Sequence, residues 1–238
     1  MLNSDLFKQT PHPKMVDDAW HIFNRSNCLN AIYWNFYFQQ VEHLEFDSIV
    51  ECGVGRGRSL ITLLSLESLF SCVGKRNKRQ IFALDSFEGF PEPTDQDKSP
   101  RNSKKGEWAT SPNATYKYSP DFLKLVLQNA ELESELANLT IVKGYFDQTC
   151  KDLNTGRIGL LHLDGDLYES VRAPLISLWE KVVVGGIVVI DDFLAEKSAQ
   201  ETEAFPGARK AIEEFLSSNN CFEIHTSVRG TPYLVRKR

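Results

Sequence analysis

Two pairs of aspartates in the second half of the chain stand where they could bind a cation. The pairs are Asp164 with Asp166 and Asp191 with Asp192, and each follows a short apolar run, at 158–161 and 187–190. Two carboxylates about 4 Å apart repel each other by about 4 kcal/mol at an effective dielectric constant of ~20. Carboxylates in such a group require a bound cation, a shared proton or open solvent, and the cation is our leading hypothesis.

The apolar runs indicate the elements that must position these carboxylates. Runs rich in valine, isoleucine and leucine, with glycine beside them, are typical of strands buried on both faces of a parallel sheet. Such sheets bind ligands beyond the carboxyl ends of their strands. Asp164 and Asp191 are 27 residues apart, the length of one strand–helix–strand unit, so both pairs are expected at the same edge of the sheet.

Strands and helices alternate along the rest of the chain, which predicts an α/β fold. We expect a Rossmann-like sheet of seven mostly parallel strands, with helices on both faces and a closing antiparallel hairpin. The predicted strands are 48–52, 80–85, 139–142, the runs that end at Asp164 and Asp191, 222–225 and 232–235. The predicted helices are 14–41 (as a pair), 59–72, 119–136, the segment that ends at Glu180, and 208–217.

The chain divides into an N-terminal helical cap or extension (1–45) and one sheet domain (46–238). The many aromatic residues of the N-terminal part either pack on the sheet or cover a substrate cleft, and packing is favoured. The polar segment 91–118 shows no periodicity, and a loop of that length in a compact domain is a candidate lid or substrate loop.

A glycine-rich loop follows the first predicted strand and reads Glu51-x-Gly53-x-Gly55-x-Gly57, with Ser59 opening the next helix. A dinucleotide-binding loop would instead read G-x-G-x-x-G. A carboxylate at the strand end would repel a diphosphate but suits a ligand that carries an ammonium group, such as S-adenosylmethionine (SAM).

An acidic residue, Asp85, ends the second predicted strand. A carboxylate in that place can hold both hydroxyl groups of a ribose, so loop and aspartate together indicate a nucleoside pocket. The alternative is a structural glycine turn beside a solvated aspartate.

The composition is that of an ordinary globular domain. The chain has 238 residues and a net charge of −5, which argues against nucleic acid or an anionic membrane as partner. No apolar run approaches the ~20 residues of a membrane span, and the first residues do not resemble a signal peptide. The five cysteines are scattered without a C-x-x-C pair, so we expect neither a zinc site nor disulfides, and a cytoplasmic location.

Five blocks of sequence, in order, resemble the macrocin O-methyltransferase family. They are 50–54 (VECGV), 85–91 (DSFEGFP), 144–149 (GYFDQT), 163–170 (LDGDLYES) and 185–192, which starts with Gly-Gly and ends with Asp-Asp. Enzymes of that family have the class I SAM-methyltransferase fold, depend on SAM and Mg²⁺, and methylate sugar hydroxyls on macrolide and aminocoumarin antibiotics. The resemblance implies an O-methyltransferase whose acceptor is a small molecule, a sugar or a glycoside.

The resemblance also implies a role for each matching residue. Asp164 would be the catalytic base and, with Asp191 and Asp192, would bind Mg²⁺. Glu51, Gly53, Asp85 and Ser86 would line the SAM pocket, with Asp147 or its neighbours near the adenine. The glycine loop itself adds Gly55, Gly57 and Ser59 to the expected cofactor-binding residues.

Several points stay open at this stage. The family usually has Trp where Gly55 stands and Gly where Arg58 stands, and its pattern does not extend to 95–118, which leaves the acceptor undefined. Asp166 is expected to cap the following helix or to support the metal ligands, with direct ligation of the metal as the alternative. His162 is either a core residue or a partner that supports the ligands.

Two other functions use the same residues. A metal-dependent hydrolase would use the aspartates, but hydrolysis has no need of a nucleoside pocket. A SAM-binding protein without catalysis would have no need of the aspartates. The chain could also act as a homo-oligomer.

Overall fold

Seven strands form one sheet with helices on both faces in the computed structural model, which describes residues 25–111, 114–193, 204–228 and 230–238. The strands are β1 (Ser48–Cys52), β2 (Gln80–Asp85), β3 (Leu139–Lys143), β4 (Ile158–Leu163), β5 (Val182–Ile190), β6 (Phe222–Thr226) and β7 (Pro232–Arg236). The helices are α1 (Arg25–Val41), α2 (Arg58–Gly74), α3 (Pro120–Asn129), α4 (Phe146–Thr149), α5 (Tyr168–Leu178) and α6 (Pro206–Ser218). Short 3₁₀ helices cover Asp95–Asp97, Glu133–Asn138 and Trp179–Lys181.

The strand order is β3-β2-β1-β4-β5-β7-β6. The first five of these strands pair in parallel, and β7 is antiparallel to both β5 and β6. The order reverses between β1 and β4, and open α/β sheets bind ligands in the crevice at such a switch point. The predicted fold, including the closing antiparallel hairpin, is confirmed.

Apolar side chains on the two faces of the sheet form two separate cores. Val50, Leu161 and Val188 pack with residues of α5 and α6, and Ile49, Leu160 and Ile187 pack on the other face with residues of α1, α2 and α3. Burial of each such side chain stabilises the fold by about 1.5–3 kcal/mol. Strands buried on both faces explain why the sequence shows continuous apolar runs rather than alternation.

Three of the N-terminal aromatic residues belong to the core. Trp34, Tyr37 and Phe38 of α1 are buried against the sheet and α2, as the packing interpretation predicts. Trp34, Tyr37 and the half-buried Tyr33 also line the cavity described below, where the alternative interpretation expects them. Residues 1–24, which include the first predicted helix, lie outside the described part of the chain.

One predicted helix is too long. The hydroxyl of Ser119 accepts a hydrogen bond from the Phe122 N–H (3.0 Å) and Pro120 follows, so the predicted start of α3 is confirmed. The helix ends at Asn129, not at Leu136, because Glu131 adopts a left-handed conformation (φ 59°) and a 3₁₀ helix continues from residue 133. No helix in the described ranges is long and apolar enough to cross a membrane.

Candidate active site

A cavity of about 1190 Å³ lies beyond the carboxyl ends of β1, β2, β4 and β5. Its volume exceeds the ~300–1,000 Å³ of pockets that hold one drug-sized ligand, so it has room for two reactants. The candidate site residues that line it are Gly53, Gly55, Ser59, Asp85, Ser86, Asp147, Asp164 and Asp191. Glu51, Gly57 and Asp192 are not among the residues that form its wall.

The glycine loop and the end of β4 are in direct backbone contact. Gly53 has φ 95°, and a Cβ atom at this position would lie 1.8 Å from the Asp164 carbonyl oxygen. The Asp164 N–H also donates to the Cys52 carbonyl (2.8 Å). Gly55 (φ 53°) has no atom within 4 Å of where its Cβ would be. Glycine at 53 therefore permits a close approach of two chain segments, and glycine at 55 leaves space for a ligand.

Asp85 holds the glycine loop in shape from the end of β2. Its Oδ2 accepts hydrogen bonds from the Val54 N–H (3.0 Å) and the Gly55 N–H (2.8 Å), and its Oδ1 accepts one from the Phe87 N–H (2.7 Å). Burial raises the pKa of Asp85, while these three donors lower it. The carboxylate thus positions the loop and at the same time lines the cavity.

Glu51 lies beneath the cavity and does not reach its wall. The Ser59 hydroxyl donates to Glu51 Oε1, and His162 Nδ1 lies 3.1 Å from the same oxygen. Among the described residues, Glu51 Oε2 is buried without a hydrogen-bond partner. Burial lowers the pKa of His162, but the Glu51 hydrogen bond and charge outweigh it, so the pKa is raised. His162 is therefore the partner of Glu51, and both Ser59 and His162 line the cavity above it.

Three aspartates form the candidate metal site: Asp164, Asp166 and Asp192. One oxygen from each lies within 4.8 Å of the others. Burial and the neighbouring Asp192 raise the pKa of Asp166 to about 9, and Asp192 shares a hydrogen bond with it. Without a cation, a proton relieves the repulsion in this cluster. A set of carboxylate oxygens is also the donor set that Mg²⁺ prefers, so these residues fit the implied metal.

Asp164 is half-buried and lines the cavity together with Asp166. Protein atoms surround its carboxyl group, and this burial, followed by the charge of Asp191, raises its pKa well above the usual value. Asp191 has an exposed side chain that lines the same cavity but lies outside the group of three. Its predicted role as a metal ligand stays a prediction.

Asp166 does not cap α5, and this expectation was wrong. The N-cap of α5 is Leu167, without a side-chain hydrogen bond, and the Tyr168 N–H donates to Asp97 Oδ1 (2.7 Å). Asp166 adopts a left-handed conformation (φ 59°), and its side chain pairs with Asp192 instead. Asp166 thus belongs to the aspartate cluster, and its role there, as a metal ligand or as support for the ligands, stays a prediction.

Asp97 is a residue that the sequence analysis missed. It lies in the 91–118 segment, is buried, and accepts hydrogen bonds from both the N–H and the hydroxyl of Thr94 (2.7 and 2.8 Å). Because it also accepts from the Tyr168 N–H, it joins this segment to the helix that follows the aspartate cluster. The only local sequence signal was the T-x-x-D capping pattern of residues 94–97.

The family model of macrocin O-methyltransferase (TylF) matches residues 38–221. The chain belongs to this family. It is 30% identical over 171 residues to the 8-demethyl-8-(2,3-dimethoxy-alpha-L-rhamnosyl)-tetracenomycin-C 4'-O-methyltransferase of Streptomyces olivaceus, a match that covers 71% of this chain and 61% of that protein. It is 28% identical over 167 residues to the demethyldecarbamoylnovobiocin O-methyltransferase of Streptomyces niveus, covering 70% of this chain and 57% of that protein. The matched part of this chain thus corresponds to about three fifths of the length of these two relatives.

Two solved structures of methyltransferases share the fold. A calicheamicin methyltransferase superposes with a TM-score of 0.74 at 23% identity, covering 98% of this chain and 89% of that one. The O-methyltransferase NovP superposes with a TM-score of 0.67 at 24% identity, covering 92% and 82%. These matches confirm the predicted class I methyltransferase fold, and the family match confirms the predicted macrocin O-methyltransferase relationship.

Proposed function

We propose that the protein is a metal-dependent SAM O-methyltransferase that acts on a hydroxyl group of a sugar or a glycosylated small molecule. The observation that carries the proposal is that the glycine loop and the carboxylate of Asp164 line one cavity at the switch point of the sheet. Membership of the macrocin O-methyltransferase family supports it, as do its two relatives named for methylation of a rhamnosyl-tetracenomycin and of demethyldecarbamoylnovobiocin.

The cofactor would occupy the part of the cavity between the glycine loop and α4. Gly55 leaves open space there, and Asp85, Ser86 and Asp147 line it. The unpartnered Oε2 of Glu51 supports a place for the ammonium group of SAM nearby, since a buried carboxylate oxygen requires a donor. SAM itself supplies the activated methyl group, and the protein supplies binding and orientation.

The acceptor hydroxyl would be activated at the aspartate cluster. Asp164, Asp166 and Asp192 are the residues that would hold Mg²⁺, with Asp191 beside them. A bound divalent cation lowers the pKa of a hydroxyl group, as it does that of water. Asp164 would take the proton of the hydroxyl on a carboxylate oxygen, because it lines the cavity and belongs to the aspartate cluster.

The remaining contribution of the chain is alignment. Methyl transfer requires the acceptor oxygen, the methyl carbon and the sulfur to lie in line, and correct placement of two reactants contributes about 7–11 kcal/mol to lowering the barrier. The close backbone contact between Gly53 and Asp164 fixes the cofactor loop and the proton acceptor relative to each other.

Calorimetric titration with SAM and with Mg²⁺ tests both halves of the proposal. We expect one SAM to bind per chain, and Mg²⁺ binding to weaken at least about tenfold in Asp192→Asn, because one of three ligands is lost. Asp152→Asn, at an exposed aspartate away from the cavity, should bind both ligands as the wild type does. Absence of SAM binding would exclude both a methyltransferase and a non-catalytic SAM-binding protein. SAM binding without any Mg²⁺ binding would rule out the metal-dependent mechanism.

A further inference from the structure

Trp108 stands at the cavity with its side chain largely in solvent. It lines the cavity and is 57% exposed. Its backbone has φ 65°, in the left-handed region where a bulky residue is a genuine outlier. Residues held in such conformations cluster at active sites and ligand clamps. The strained backbone and the exposed indole of Trp108, together at a cavity, therefore suggest that this residue has a function.

The backbone around Trp108 is fixed on both sides. The Gly106 N–H donates to the Phe90 carbonyl and the Phe90 N–H donates to the Glu107 carbonyl, each at 3.0 Å. The Ala109 carbonyl accepts from the Tyr118 N–H, also at 3.0 Å. These bonds fix the backbone on both sides of Trp108, so the segment itself need not become ordered when a ligand binds.

Two aromatic rings and an arginine support the indole. The ring centroids of Phe90 and Phe205 lie 5.3 and 5.9 Å from that of Trp108, and the Arg101 guanidinium lies 5.2 Å from it. The charge of Arg101 is paired with Glu107 at 2.8 Å. Arg101 also lowers the pKa of Asp166, against the larger effects of burial and Asp192. The indole and its support therefore lie close to the aspartate cluster.

The cavity wall is strongly acidic. Of the described residues that form it, eight are Asp or Glu and two are Arg, at positions 56 and 58 beside the glycine loop. Glu92, Glu107 and Glu169 line it in addition to the aspartates already described. Hydroxyl groups are donors from which carboxylate oxygens accept hydrogen bonds, so this wall suits an acceptor with several hydroxyl groups.

We propose that Trp108 is the platform on which the sugar ring of the acceptor stacks. The C–H face of a sugar ring is apolar and packs on the flat indole, while its hydroxyls donate to the carboxylates of the wall. The inference rests on the proposed function, to which it adds the residue that binds the acceptor.

Binding of a sugar to the protein saturated with S-adenosylhomocysteine and Mg²⁺ tests this inference. The probe is methyl α-L-rhamnopyranoside, a single sugar ring without a further ring system that could stack on the indole. We expect Trp108→Ala to weaken binding of the methyl rhamnoside at least about tenfold, and Trp108→Phe to retain it within about threefold. Ile224→Ala is the matched control, because Ile224 is 56% exposed on β6 and does not line the cavity.

Two results would overturn the inference: no binding of the methyl rhamnoside to the wild type, or equal binding to Trp108→Ala and the wild type. The dissociation constant of S-adenosylhomocysteine, measured in the same samples, should be unchanged in all three variants. If that constant cannot be measured because the compound does not bind, the proposed function fails. If S-adenosylhomocysteine binds normally while the affinity for the methyl rhamnoside is the same in Trp108→Ala and the wild type, only the role of Trp108 is contradicted.

Discussion

Asp164→Asn should lower kcat/KM for methyl transfer by about three orders of magnitude and leave the dissociation constant of SAM within about threefold of the wild type. Asparagine has nearly the same shape as aspartate, but its amide cannot take the proton of the acceptor hydroxyl. Loss of a positioned proton acceptor typically costs about 10²–10⁴ in rate. The rate is measured as formation of S-adenosylhomocysteine, and SAM binding by calorimetry.

The same variant separates a chemical from a structural role of Asp164. Its free energy of unfolding should not fall, because the substitution removes one of several carboxylates that repel each other in the absence of a cation. Asp121→Asn, at an aspartate whose side chain is 95% exposed, serves as the control and should retain wild-type rates. Wild-type turnover by Asp164→Asn would show that another group accepts the proton.

Gly53→Ala should destabilise the protein by about 3 kcal/mol or more, whereas Gly55→Ala should cost about 1 kcal/mol. Both glycines have positive φ, so alanine is strained at either position. Only at Gly53 would the added Cβ lie 1.8 Å from the carbonyl oxygen of Asp164. The difference between the two variants therefore reports the close approach of the glycine loop to the end of β4.

Urea denaturation of the protein without ligands measures both free energies of unfolding. Comparison without ligands matters because a methyl group at Gly55 would also occupy space in the cavity. Equal losses of stability in the two variants would contradict the observed contact between Gly53 and Asp164.

The sheet and its ligand-binding edge could be predicted because their signals are local. Continuous apolar runs identify buried parallel strands, and the helices between them leave one topology for the crossovers. The end of α3 could not be predicted in this way. The apolar pattern continues past Asn129, and only the left-handed backbone at Glu131 ends the helix. Glutamate rarely adopts the left-handed conformation, so the residue type does not predict it.

The candidate site could be predicted in outline, from the residues at the ends of β1, β2, β4 and β5. Contacts between residues far apart in the chain could not be predicted from the sequence. Asp97 accepts a hydrogen bond at the start of α5 from 71 residues away, and the side chain of Asp166 pairs with Asp192. Glu51 lies beneath the cavity wall, where it contacts Ser59 and His162, and its role at the cofactor stays a prediction.

The central claim is that one cavity joins SAM-dependent methyl transfer to a divalent cation held by the aspartates. It is tested most directly by incubating the wild-type protein with SAM and a set of uncharged methyl glycosides, with Mg²⁺ or with EDTA, and following the products by mass spectrometry. We predict a glycoside heavier by one CH₂ unit with Mg²⁺, its loss in EDTA, and its return when excess Mg²⁺ is added. Methylation at the same rate in EDTA would contradict the account.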